Sequence, residues 1–374
     1  MKRWKHGNME NEGQDLIKNN TNIFPLKDLS SSLGSLPVAS FNFSTPTDSG
    51  SMFQLLEWTE FMNVDWYLCN PSKMVRHLMC TEFEKPLIAQ IYGNNEEKIL
   101  KVALDIQEKY SKYFHAIELN IGCPAPKVVK YGWGSSLMRN KEKTLNMIKN
   151  ISSNLDMPFS IKTRIWLDLN DIPKQKEFII NASKYCKFIT VHWRTFNQQH
   201  SGEVDRNSIY EVKKYSDENC KIIGNGWIRF YEEIFEKVWN LDGVMIGQAA
   251  IWNPRIFTGH KPSLQEIWET VIQHLNLSIA CELYFNKYSK SEKIQNYETY
   301  KFPMPTMKKL QNYVKKIEEL EKAWTTFFSI PEFRKFLFCY VKGIENSKEF
   351  KIRTCKITRY GELNFEIKKF FGLR

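Results

Sequence analysis

The stretch ELNIGCPAPKVVKYGWGSSLMRN, residues 118–140, places Cys123 between a glycine and a proline, where an apolar run breaks and a basic, glycine-bearing loop begins. A cysteine there has two uses: it fills a corner as a small hydrophobe, or it offers a thiol to chemistry. Other apolar runs also end in polar or glycine residues. Gln90 ends one, Asn120 and Cys123 the next, then Lys162 and Arg164, His192 and Arg194, Asn225 and Gly226, Gly247 and Gln248. Amide, ammonium, imidazole and guanidinium groups at six successive run ends have the pattern of a site built around one shared centre. Taken singly, each has a duller use. Asn225 can satisfy loop backbone, His192 can be a hydrogen-bonded core histidine, and Lys162 can pair with a buried carboxylate.

Eight short apolar runs carry these ends: LPVAS, NVDWYL, PLIAQIY, HAIELNI, PFSIKT, KFITVH, KIIGNG and DGVMIG. Between them lie amphipathic stretches such as residues 95–113 and 140–155, with helical spacing of their apolar positions. Runs that are continuous in apolar character, rather than alternating, predict a parallel sheet covered on both faces. Eight of them predict a (β/α)8 TIM barrel, whose active sites gather at the C-terminal strand ends.

Residues 1–34, with the small-residue cluster SSSLGS, read as a polar arm, and the barrel is expected over 35–259. From 260 to 374 the strand texture stops and long helical periodicity takes over, predicting a smaller all-helical domain. Its Lys308, Lys309, Lys315, Lys316, Arg334, Lys335 and Lys342 form either a basic face or an ordinary solvated helix surface.

The 374 residues carry 53 Lys and Arg against 42 Asp and Glu, a formal charge of +11 that points to an anionic partner, nucleic acid first. Eight scattered cysteines include no CxxC pair, and no His cluster has ligand spacing, so neither a zinc site nor a disulfide framework is predicted. No run approaches the length of a membrane span, and the N-terminus lacks the apolar stretch of a secretory signal. A cytoplasmic protein with reduced thiols, monomeric and without metal, is the expectation.

With these ends laid out, the sequence resembles the dihydrouridine synthases, flavoenzymes that reduce particular uridines of tRNA. ELNIGCPAPKVVKYGWGSSLM is similar to the family's Asn-x-Gly-Cys-Pro motif and the segment after it. SIKTRIW, ITVHWRT, HSG, IIGNGWI and GVMIGQAAIWNPRIF resemble family segments in the same order. The resemblance implies a barrel that binds FMN, NADPH or NADH as the ultimate reductant, and tRNA as partner. It implies that Cys123 is the general acid, protonating uracil carbon 5 while reduced flavin delivers hydride to carbon 6. Asn120 then holds the target base, with Arg194 on the substrate side. Gln90, Lys162 and His192 contact the isoalloxazine, and Asn225, Gly226, Gly247 and Gln248 lie at the ribityl phosphate. A thiol with an ordinary value near about 8.5 is mostly protonated at neutral pH and so suits such a role.

Three departures accompany the likeness. Ala39-Ser40-Phe41 stands where the family has Ala-Pro-Met, and Gly247-Gln248 where it has Gly-Arg, which removes a positive charge from the phosphate site. Trp133 and Trp193 replace small residues and either stack on an extruded base or obstruct the pocket. Two other functions stay open on these grounds: a flavin-free RNA-binding barrel, and a flavoenzyme reducing small-molecule pyrimidines.

Overall fold

The computed structural model describes residues 39–42, 54–84, 86–165, 171–194, 206–226, 228–289, 300–319 and 326–372. The 1–34 arm and the HSG segment lie outside them.

The strands are β1 (Ala39–Asn42), β2 (Gln54–Trp58), β3 (Met62–Asn63), β4 (Leu87–Tyr92), β5 (Phe114–Asn120), β6 (Phe159–Arg164), β7 (Phe188–His192), β8 (Lys221–Asn225) and β9 (Gly243–Ile246). From β4 through β9 each strand pairs in parallel with the next, and β2 pairs in parallel with β4. β1 lies between β9 and β2, antiparallel to both, and closes the ring. The sheet is thus the TIM barrel expected from the sequence, with one reversed strand. Residues 43–53 leave little chain for the helical crossover that a parallel β1–β2 pair needs, and an antiparallel pair needs none.

A second difference concerns NVDWYL. It is not a strand: Val64–Cys69 is helix α1, while the strand beside β4 is QLLEW. Asn63 caps α1 by accepting the Trp66 N–H at 2.9 Å, and Val64 and Tyr67 are buried at the i, i+3 spacing of a helix.

Around the ring run α2 (Pro71–Met74), α3 (Glu96–Tyr110), α4 (Pro126–Val129), α5 (Lys141–Ser153), α6 (Ile172–Ser183), α7 (Arg206–Tyr215), α8 (Glu232–Val238) and α9 (Gln248–Trp252). Local chemistry sets the ends of the longer ones. Asn95 accepts the Lys98 N–H to cap α3, and Asn140 accepts the Lys143 N–H to cap α5. In α3 the buried Ile99, Val102, Ala103, Ile106 and Tyr110 form one stripe against the barrel.

Then come α10 (Leu264–Ser289), α11 (Met307–Glu319), α12 (Ser329–Tyr340), α13 (Ser347–Thr354) and α14 (Tyr360–Phe370). α10 serves two cores. Its Leu277, Cys281, Tyr284 and Phe285 join the barrel's core, whereas Val271, Leu275 and Ile279 join a second one with Ile330, Phe333, Leu337 and Leu363. Buried Glu282 accepts the N–H groups of Phe328 and Ser329 and so caps α12. Lys308, Lys309, Lys315 and Lys316 lie exposed on α11, while Arg334 donates to the Ile357 carbonyl at 2.6 Å.

Candidate active site

Side chains alternate across a strand, so Glu118 and Asn120 of β5 share a face. Gln90 of β4 joins them: its Nε2 donates to Glu118 Oε1 at 2.6 Å and its Oε1 accepts from Asn120 Nδ2 at 3.0 Å. Asn120 Oδ1 then accepts the backbone N–H groups of Gly122 and Cys123, at 3.1 and 3.0 Å. One amide therefore fixes the loop that carries the thiol. Arg164, buried at the end of β6, adds a second tether by donating Nε–H to the Gly122 carbonyl at 2.9 Å. Gly134 seats the return of the loop: at φ 58, a Cβ on it would lie 2.7 Å from the Cys123 carbonyl oxygen. The Ser135 N–H donates to that same oxygen. Cys123 remains half-buried.

Beneath this loop sits a buried acid that sequence reasoning missed. Glu118 is fully buried and accepts from Gln90 and Thr190; burial pushes its carboxyl up to about 7, with Lys162 opposing that rise. Lys162 is half-buried on β6, and desolvation lowers it to about 8 against the pull of Glu118. Its ammonium makes no hydrogen bond or ion pair among the described residues. The signal for Glu118 was present in the sequence: a charged residue inside the apolar run HAIELNI, two positions before Asn120, faces the same way as that asparagine.

On the far side of the mouth, the Arg194 N–H donates to His192 Nδ1 at 3.2 Å. The imidazole lies against Gly226, whose φ of 113 suits glycine and where a Cβ would stand 3.1 Å from His192 Nε2. Asn225 donates Nδ2–H to the Met245 carbonyl and ties β8 to β9. Arg194 is buried, and burial together with Arg229 lowers its guanidinium. Gly247 faces open space, and Gln248 is exposed on the first turn of α9 without a hydrogen bond to the other site residues.

The two tryptophans part company. Trp193 is fully buried, with its ring where a Gly224 Cβ would come within 2.5 Å, so it neither stacks nor obstructs at the mouth. Trp133 stays at the rim in a cluster of aromatic rings with Tyr92, Tyr131 and Trp66. The side chains of Ala39-Ser40-Phe41 lie outside the described residues.

A barrel with a thiol, amides, a lysine and a histidine at its strand ends defines an enzyme active site of the TIM-barrel type. Residues 50–330 match the family model described as dihydrouridine synthase, and the chain belongs to that family. It is 29% identical over 247 residues to a probable tRNA-dihydrouridine synthase of Staphylococcus aureus strain MRSA252, covering 63% of this chain and 71% of that one. A probable tRNA-dihydrouridine synthase 2 of Bacillus subtilis strain 168 is 28% identical over 246 residues, with the same shares covered. A probable tRNA-dihydrouridine synthase of Helicobacter pylori is 30% identical over 190 residues, 50% of this chain and 56% of that one. No described helix is long and apolar enough to cross a membrane, and no described group of His, Cys, Asp and Glu has a metal-binding arrangement.

Proposed function

We propose that this protein reduces the C5=C6 bond of uridines in tRNA, using FMN and NADPH or NADH. The observation that carries the reading is the Gln90–Asn120–Cys123 chain, in which one asparagine fixes both the thiol loop and its neighbouring amide. The residues present fit a flavin. The Lys162 ammonium, without a hydrogen bond among the described residues, offers a donor to the edge of an isoalloxazine ring, and with His192 it places positive or donor character where negative charge collects on reduction. Asn225, Gly226 and Gly247 supply the strand-end turns for a phosphate, Gly247 with open space before it, and Gln248 adds a neutral amide in place of a guanidinium.

When bound, reduced flavin supplies the hydride for uracil carbon 6. Cys123 supplies the proton for carbon 5: its S–H bond breaks, a C–H bond forms, and the thiolate regains a proton from solvent. Asn120 carries a second N–H beyond the one given to Gln90, and that donor is available to a uracil carbonyl. Arg194 steadies His192 through its backbone N–H and closes the substrate side. The 260–374 region, with the exposed lysines of α11, holds the RNA by its backbone. The 35–259 barrel does the chemistry.

The test is an absorbance spectrum of the purified protein, then NADPH addition and mass spectrometry of tRNA for a gain of two hydrogens. Flavin bands that bleach and dihydrouridine that falls roughly 10²–10⁴-fold in rate with Cys123→Ala support the reading. A colourless protein that takes up no FMN yet binds tRNA moves it to the flavin-free RNA-binding barrel.

A further inference from the structure

Five aromatic side chains from three separate segments meet at the rim of the barrel. Trp133 stacks on Tyr131, with centroids 4.9 Å apart and planes 29° from parallel, and meets Tyr92 and Trp66 edge-on at 5.5 and 6.4 Å. Phe61 continues the row, 4.9 Å from Tyr92. Phe61, Trp66 and Tyr131 stand 40, 56 and 59% exposed and are joined through the buried Tyr92 and the half-buried Trp133.

The row begins at the thiol. Trp133 directly precedes the Gly134 that seats the Cys123 carbonyl, and its ring lies 5.5 Å from that of Tyr92. It is also held in place. Asn94 donates to the Tyr131 carbonyl at 2.9 Å, and Gly132 and Gly134 both take positive φ, so the loop is set in shape before any ligand arrives.

The charge around it is one-sided. Residues 121–139 contain Lys127, Lys130 and Arg139 and no acid. Lys127 and Lys130 are exposed on and beside α4 and have no ion pair among the described residues. The acids near Trp66 are engaged: Asp65 pairs with Lys98 at 2.6 Å and Glu60 with His77 at 3.0 Å. Exposed π-faces beside free cations are the chemistry that takes unpaired nucleobases, with phosphates on the lysines and bases on the rings.

We propose that the Phe61–Trp66–Tyr131 ridge stacks an unpaired nucleobase adjacent to the uridine entering the barrel, with Lys127 and Lys130 on the flanking phosphates. The ridge reads RNA that is locally single-stranded and selects for uridines next to a splayed neighbour. This rests on the tRNA-reducing activity proposed above.

The experiment compares wild type with the Trp66→Ala/Tyr131→Ala double variant and the stacking-competent Trp66→Phe/Tyr131→Phe. Each is titrated with a tRNA transcript and with a fully paired RNA hairpin, and FMN uptake and thermal unfolding serve as controls. The Ala variant is expected to bind tRNA about 5- to 150-fold more weakly, the range for one lost stacked base. The hairpin, held by its phosphates, is expected to change less than about 2-fold, and the Phe variant to keep wild-type affinity. Unchanged tRNA affinity in the Ala variant, with wild type still forming dihydrouridine, overturns the ridge and leaves the activity standing. Wild type that neither binds nor modifies tRNA overturns both. A wild-type dimer that the Ala variant converts to monomer in sedimentation assigns the strip to a second copy and also overturns it.

Discussion

Glu118 is the residue on which the polar centre of the barrel turns, because it faces Gln90 and Thr190 by hydrogen bonds and Lys162 by charge. Removing its charge leaves Lys162 desolvated without its counter-charge, so Glu118→Gln is expected to lower the lysine further below its present value of about 8. A lysine donor acts only while protonated. The alkaline loss of FMN affinity should therefore move to lower pH in the variant, which a fluorescence titration across pH 6–9 measures; an unmoved profile would show the two groups uncoupled. At this scale the sequence was highly legible wherever a polar residue ended an apolar run, as with Gln90, Asn120 and Lys162. It was less so where a polar group lies inside the run. Glu118 has the same orientation as Asn120 but one turn of the pleat deeper, and only its partners across the barrel, on β4, β6 and β7, join it to that asparagine.

Among the elements, β7 and β8 show how closely the wall of the site is packed. Gly224 of β8 exists to admit Trp193: a Cβ there would stand 2.5 Å from the indole Cζ2 and 2.8 Å from Leu241 Cδ1. Gly224→Ala is expected to destabilise the fold by about 1–3 kcal/mol, read from denaturant melts, and to disturb the neighbouring Asn225. Strand alternation explains why a tryptophan next to His192 in sequence is absent from the mouth in space. His192 faces the mouth, so Trp193, the next residue along, faces the outer layer. Element types were legible wherever the apolar pattern had one reading, and six parallel strands follow it. They were misread where two patterns overlap: NVDWYL is apolar enough for a strand, but Asn63 offers a cap and Val64 and Tyr67 a helical stripe. QLLEW was passed over because Glu57 interrupts it.

Taken as a whole, the molecule carries buried carboxyls that make its stability depend on pH. Burial raises Glu57 to about 7 and Glu118 to about 7, and burial with the nearby Glu57 raises Glu84 to about 8, against an ordinary value of 4.5. Each holds its proton more tightly folded than unfolded, so stability falls as pH climbs through that window. His274 has the opposite sign: buried in the second core and lowered to about 3, it supports the fold above the ordinary 6.5 and withdraws that support as pH falls. Between pH 6.5 and 8 the carboxyls dominate this set. The urea midpoint is expected to fall across that interval, and Glu84→Gln to flatten the fall; a midpoint that rises instead would mean these carboxyls are ionised in the native protein.

The reversed strand that closes the ring also sets an order of events in synthesis. Ala39 pairs with Ile246, and Ser40 with Leu56 on its other side. A chain leaving the ribosome can thus dock β1 on β2 early, but must carry β1's other edge bare until nearly all of the barrel has been made. Such an edge is a template for pairing with a neighbouring chain. The nascent protein is therefore exposed to aggregation for most of its elongation, and its yield in a cell depends on chaperone supply more than the stability of the finished barrel suggests.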